Sequence, residues 1–338
     1  IGSVVVVQST DGKRAEYINE QNGRYHVLIR GIQDGKQVDE IQVVGSISRA
    51  LTAQNQWEQI LDLAASPDIR IILSNTTEIG YQVHPGDRMG ASLPISFPAR
   101  LLTILYTRYL SGCTPVTVIP CELIDNNASM LRSIVSDLAL YRNMDKSFIE
   151  WLSTEVQWLT TLVDRITSDP PTDHPLYDQD KLLTVTEPFA LWVIENAKRA
   201  DHIFEHDAIV RTDDVRPYAL RKVRILNGAH TALVCKALPM GIETVRDAVM
   251  DEAVCTWLKT LLYEEIIPTV ADRIIDPEQF AKDCLDRFRN PYLVHKLEAI
   301  AWEHETKLRL RLLPTYHEYV LKFGHKPEIL QELLGKYI

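Results

Sequence analysis

The sequence predicts an α/β protein in two parts: an amino-terminal domain built on a parallel sheet, then a mostly helical carboxy-terminal domain. Three observations lead there. Short β-branched apolar runs alternate with helical periodicity up to about residue 120. Helical patterns dominate from about residue 129. The composition, 46% hydrophobic and 24% charged over 338 residues, is that of a folded globular chain long enough for one large or two ordinary domains.

Val4–Val7 is a short β-branched run suited to a fully buried strand. Tyr25–Arg30 and Glu40–Val44 read as two further strands, the first ending near Gly31. Residues 49–65 carry apolar residues at helical spacing (Leu51, Trp57, Ile60, Leu61, Ala64) until Pro67-Asp68 breaks the pattern. Ile69–Leu73 is the next strand, which makes a βαβ crossover and hence a parallel sheet. The polar residues after it, Ser74-Asn75-Thr76-Thr77-Glu78, fall at a strand's carboxyl end, where open α/β sheets bind ligands. A helix over 97–111 and a strand over 116–122 form a second unit, and Asp125-Asn126-Asn127 can cap the helix that follows. Helices are then expected over 129–142, 146–163, 187–198, 215–238, 242–266, 276–288 and 291–313, with Asp276-Pro277 a cap and first-turn signal. The division expected is 1–150 for the sheet domain and 151–338 for the helical domain.

Charge narrows the partners. Lys+Arg number 36 and Asp+Glu 46, so the net charge is 36 − 46 = −10. That balance argues against nucleic acid, whose phosphates call for cations. No apolar run reaches the roughly 18–20 residues of a membrane-spanning helix, so no membrane partner is expected. The five cysteines (113, 121, 235, 255 and 284) are widely spaced and form no C-x-x-C pair, which suits reduced thiols in a cytoplasm-like compartment. No H-E-x-x-H or clustered Cys/His set appears, so no metal site is expected; His202 and His206 read as a surface pair. Glycine is scarce, 14 residues in all.

The segment richest in chemistry is Lys222-Val223-Arg224-Ile225-Leu226-Asn227-Gly228-Ala229-His230. On a helix turning about 100° per residue, Asn227 lies roughly 140° from Lys222, with His230 between them. A lysine can move a proton if burial and neighbouring cations lower its pKa, and Arg221 and Arg224 are candidates for that. An amide can donate to a developing oxyanion, and a histidine can orient a hydroxyl. On spacing alone, an exposed lysine, a packed asparagine and a satisfied histidine is the favoured reading. The mid-helix Gly228 hints at close packing or ligand approach.

The same segment resembles the signature of the polyol-specific long-chain dehydrogenases, the mannitol dehydrogenase family. Four more segments resemble family elements in order: Ser74–Glu78, Pro120-Cys121-Glu122-Leu123-Ile124-Asp125-Asn126-Asn127, Leu162-Val163-Asp164-Arg165-Ile166, and Arg287-Phe288-Arg289-Asn290-Pro291-Tyr292. The Pro120–Asn127 wording, and Tyr263-Glu264-Glu265-Ile266-Ile267-Pro268, are similar to the branch that acts on uronates. Ala128 stands where the family usually has glycine.

The resemblance implies a Rossmann-like amino-terminal domain and zinc-independent hydride transfer between NAD and an open-chain sugar acid, here D-tagaturonate and D-altronate. It assigns Lys222 as general acid/base and gives Asn227 and Asn127 the reacting oxygen. His230 orients hydroxyls, and Asp164 lines the site. Ser74, Asn75, Thr76, Thr77, Glu78 and Asn127 fall on the cofactor side. A sugar acid adds a carboxylate, and the basic residues Arg287, Arg289, His295, Lys307, Arg309 and Arg311 are candidates to meet it, with Arg287, His295 and Lys307 foremost. The family's glycine-rich phosphate loop is expected before Val4, and further helices after Ile338. Gln8 at the end of the first strand is neutral and compatible with either nicotinamide cofactor. A fructuronate reductase, a mannitol-type polyol dehydrogenase and a non-catalytic sugar-acid sensor stand as alternatives.

Overall fold

The computed structural model describes residues 3–90, 93–195 and 205–338. The first strand, β1 (Val4–Gln8), leads through α1 (Arg14–Glu20) into a long antiparallel hairpin, β2 (Tyr25–Gln33) and β3 (Lys36–Val44). Next come β4 (Ile47–Thr52), α2 (Trp57–Ala64), β5 (Ile71–Ser74), α3 (Phe97–Leu110) and β6 (Thr117–Pro120). β1 pairs in parallel with β4, and β5 with β6, so the predicted parallel pairing is present, divided between two separate sheets rather than one. All four residues of β6 are buried, as the continuous apolar run of a central parallel strand requires. Leu101, Leu102 and Leu105 of α3 cover it together with Leu131, Val135 and Leu138 of α4 (Asn127–Tyr141) and Phe148 of α5 (Lys146–Thr154). Each fully buried leucine there contributes roughly 1.5–3 kcal/mol.

Three expected helices are shorter or absent. Residues 47–52 are strand, because pairing to Val4–Gln8 outweighs the local helical spacing, and the helix begins only at Trp57. The helix expected over 146–163 ends at Thr154. Beyond it run β7 (Gln157–Trp158), parallel to β6, and β8 (Thr161–Asp164). After the short β9 (Thr167–Ser168) and β10 (Thr184–Thr186), the helix expected over 187–198 is instead β11 (Leu191–Glu195), flanked by β8 and β12 (Ile209–Thr212). Residues 196–198 and His202 lie outside the described residues. Leu-Trp-Val-Ile is a short apolar run in which period cannot separate strand from helix.

The helical part begins with α6 (Arg216–Arg221), a π-helical turn over Lys222–Asn227, and α7 (Gly228–Ala237). α7 is buried nearly all round. The stretch expected as one helix over 242–266 is α8 (Val245–Met250) and α9 (Glu252–Thr260), separated at Asp251. The Asp251 side chain accepts from Val254 N and so caps the second helix. A second π-helical turn (Leu261–Ile266) leads into α10 (Ile267–Val270). α11 (Pro277–Phe288) matches expectation. Residues 291–313 are broken into α12 (Leu297–Ile300) and α13 (His304–Arg311), after which come α14 (Leu313–Phe323) and α15 (Glu328–Leu334). Buried Glu265 accepts from Ile329 N and Leu330 N at the start of α15, which explains a carboxylate in that core.

Two devices join the parts. The β2–β3 hairpin reaches the segment after α11: Asn290 Nδ2 donates to Arg30 O at 3.1 Å, and Asp286 accepts from Gly35 N at 2.9 Å. Gly31 is required there, since a Cβ would sit 2.6 Å from Pro188 Cδ. Near the amino terminus, Asp180 accepts from Gln21 Nε2, His26 N and Leu182 N. Burial raises its pKa, but these donors outweigh burial and the net shift is downward from 3.8. A depressed folded-state pKa gives stability that is complete above about pH 4 and lost as pH falls through the lowered value. Urea midpoints followed on acidification will therefore drop less steeply in Asp180→Asn than in the unaltered protein; parallel acid limbs contradict this.

Candidate active site

The site is assembled where β8 meets the helix carrying Lys222. Lys222 Nζ donates to Val163 O at 3.0 Å and lies 3.4 Å from Asp164 Oδ1. Asp164 is on a strand and buried. Its neighbour Arg165 donates to Glu187 O. Arg287, from α11, forks onto Asp164 at 3.1 and 3.0 Å and onto Glu187 at 2.9 Å twice. Four side chains thus form an alternating row: Lys222, Asp164, Arg287, Glu187. Burial opposes the Arg287 charge, and the two carboxylates more than restore it, so its pKa lies above the ordinary value.

The π-helical turn adjusts the geometry read from an ideal helix. It spans Lys222 to Asn227, and its i→i+5 hydrogen bonding widens the turn. The wider turn brings both Asn227 and His230 closer to the Lys222 face than 100° steps allow. Arg221 and Arg224 point elsewhere. The first donates to Ile275 O and stacks on Phe280, and the second binds Thr315 and Glu318. The charge beside Lys222 is therefore an anion, Asp164, not the cations expected. A methyl at Gly228 would meet Leu312 and Ile266 at 3.4 and 3.7 Å, ordinary contact distances, so close packing does not require the glycine.

His230 lies beside a cavity of about 280 Å³, counting space open to solvent, whose wall includes Arg287, Phe288, His295 and Arg246. Its ring sits 4.5 Å from that of Phe288 and 4.9 Å from that of His295, and its Nε2 is buried without a hydrogen bond. Burial first, then the nearby His295, Arg287 and Arg311, hold its pKa well below the usual value, so the imidazole is neutral. Burial also lowers His295. Lys307 does not line this cavity; its ammonium donates to Ile300 O at 2.9 Å. Arg289 and Arg309 pair with Asp286 and Glu305.

Asn127 is fully buried and fully spent. Its Nδ2 has the carbonyls of Pro120, Glu122 and Thr161 at 3.1 Å each, and its Oδ1 accepts from Ala128 N and Thr161 N. It therefore fastens β6 to β8 and has no donor left for a substrate oxygen. The polar loop after β5 divides in the same way. Ser74 and Thr76 bind the buried Glu122 carboxylate, whereas Asn75 and Thr77 are exposed at the strand end. The Glu78 side chain lies outside the described residues. Burial pushes the Cys121 thiol up to about 11, which leaves it protonated. Glu187 and Arg246 had no spacing or motif to mark them. Among the described residues, no set of three His, Cys, Asp or Glu side chains could hold a metal ion, and no helix is long and apolar enough to cross a membrane.

Parallel Rossmann-type strands, and a helical domain that brings a lysine to the edge strand β8 of a neighbouring mixed sheet, define a two-domain dehydrogenase architecture. The chain belongs to the mannitol dehydrogenase family, a family of oxidoreductases: residues 2–205 match the mannitol dehydrogenase Rossmann domain and residues 214–338 the mannitol dehydrogenase C-terminal domain. It is 37% identical to an altronate oxidoreductase of Halalkalibacterium halodurans, over 97% of this chain and 67% of that one. The altronate oxidoreductase of Bacillus subtilis is 38% identical, over 97% and 71%. Among solved structures, the fold is shared with Pseudomonas fluorescens mannitol 2-dehydrogenase in its ternary complex with NAD and D-mannitol, at 24% identity and a TM-score of 0.75 over 99% of this chain and 72% of that one. A substrate-free D-sorbitol dehydrogenase matches at 24% identity and 0.81, over 95% and 70%.

The row of buried charges makes a stability prediction. Arg287→Met strands two carboxylates and will cost about 3–5 kcal/mol, whereas adding Asp164→Leu and Glu187→Leu will recover part of that loss. Urea unfolding measures both; a cost below about 1 kcal/mol for the single change contradicts the ion-pair reading.

Proposed function

We propose that the protein interconverts D-tagaturonate and D-altronate with NAD, and that Lys222 carries the proton. The observation that carries this reading is the Lys222 ammonium, held by Val163 O and by Asp164, whose partner Arg287 lines the His230 cavity. The identity to altronate oxidoreductases supports the choice of substrate.

The residues fit a nicotinamide dinucleotide: parallel strands β5 and β6 end in a polar loop whose exposed Asn75 and Thr77 are free to meet it. The nicotinamide, when bound, gives or takes the hydride. In reduction Lys222 donates its proton to the carbonyl oxygen, and in oxidation it removes the hydroxyl proton. Asp164 and Val163 O hold the amine in place. Asn227 offers its amide to the oxygen as negative charge gathers. Neutral His230 orients a substrate hydroxyl, and Asn127 acts at one remove by holding Thr161 and hence β8. We assign residues 1–150 to cofactor binding and 151–338 to substrate, with strands β7 to β12 bridging them.

Lys222→Ala should lower kcat by about 10²–10⁴-fold with an unchanged circular dichroism spectrum. An unaltered rate removes Lys222 from the mechanism. Turnover on tagaturonate, fructuronate and fructose, followed by NADH absorbance, identifies the substrate; negligible rates on tagaturonate defeat the assignment. Altronate oxidation should quicken as pH rises, because only a neutral amine accepts the proton, and reduction should slow. A flat profile with hydride transfer limiting contradicts this.

A further inference from the structure

The reading as a sugar-acid enzyme leaves a question of charge: which cation meets the substrate carboxylate? The expected candidates are engaged. Arg287 uses four N–H contacts on Asp164 and Glu187, and a guanidinium has only five donors, so no forked grip remains. His230 and His295, on the cavity wall, are both held toward the neutral form by burial. Lys307 donates to Ile300 O, and Arg311 to Thr231 Oγ1, and neither lines the cavity.

We infer that Arg246 is the carboxylate-binding, specificity-determining residue of this cavity. It lines the cavity beside His230 and His295, is exposed at the mouth, and has no carboxylate within ion-pair distance among the described residues. Its neighbour Asp247 is occupied at the helix start, where Thr244 Oγ1 donates to it at 2.6 Å. The backbone beneath Arg246 is fixed to the opposite wall. Val245 N donates to His295 O at 2.9 Å, Leu297 N donates to Glu243 O at 2.8 Å, and Thr244 bridges Lys296. A fixed backbone with a free guanidinium fork suits one carboxylate arriving from solvent. A carboxylate bound this way sits at the surface beside His230 and His295.

The inference rests on the sugar-acid reading, and the test separates the two. Calorimetry on the full chain compares D-altronate with altritol, its uncharged counterpart, alongside turnover of altronate. The unaltered protein should bind altronate at least about ten-fold more tightly than altritol. Arg246→Gln should weaken altronate about 10- to 100-fold, raise its KM by the same factor, and leave altritol within about two-fold; Arg246→Lys should recover part of the loss. A preference for altronate that survives Arg246→Gln overturns the inference, as does a protein with no preference for the acid. An Arg246-dependent preference without turnover would leave the inference standing and defeat the redox reading. Turnover with binding indifferent to Arg246 would do the reverse.

Discussion

The guanidinium of Arg287 is where the segment matching the Rossmann domain and the segment matching the C-terminal domain meet in charge. It comes from α11 in the helical half and forks onto Asp164, at the end of β8, and onto Glu187, in the segment that leads to β11. Four buried hydrogen bonds at 2.9–3.1 Å compensate for removing three charges from water, and no one of the three is tolerable without the others. The consequence reaches the chemistry. Asp164, fixed by Arg287, is the anion beside Lys222, so an ion-pair lock between the segment matching the Rossmann domain and the segment matching the C-terminal domain also determines where the amine sits. A weaker lock would leave the lysine attached to only one of the two surfaces it must join.

A second constraint acts within one helix. Lys222 and Asn227 are the first and last residues of a π-helical turn, which costs regular hydrogen-bond geometry and is retained where it places side chains. The wider turn draws the two toward one face, and His230 follows three residues later. The surrounding packing holds that turn: Ile225, Ala229, Ala232 and Leu233 are fully buried in the helical core. Arg221 and Arg224 secure its flanks through Ile275 and Thr315, which explains two buried cations that do not touch the lysine.

Much of this was legible from local pattern. β1, α3, β6 and α11 follow β-branched runs, helical period and the Asp276-Pro277 start, all of which act within a few residues. The Lys222, Asn227 and His230 set was legible as a spacing. Pairing across long separations was not. Leu191–Glu195 is a strand because β8 and β12 flank it, and Ile47–Thr52 because β1 lies beside it. The same limit concealed Glu187, joined to Arg287 across a hundred residues. It also made Asn127 read as an oxygen ligand, when its amide is consumed by three carbonyls brought in from two strands and a turn. Residue type named the chemistry available, and tertiary contact decided which groups were left to do it.

If Arg287 positions Lys222 through Asp164, the two residues act on turnover as one unit. A double-mutant cycle of Lys222→Ala and Arg287→Lys, read as kcat, tests this most directly. Strong non-additivity is predicted, with Arg287→Lys costing much in the presence of Lys222 and almost nothing in its absence. Losses that simply add would contradict the coupling.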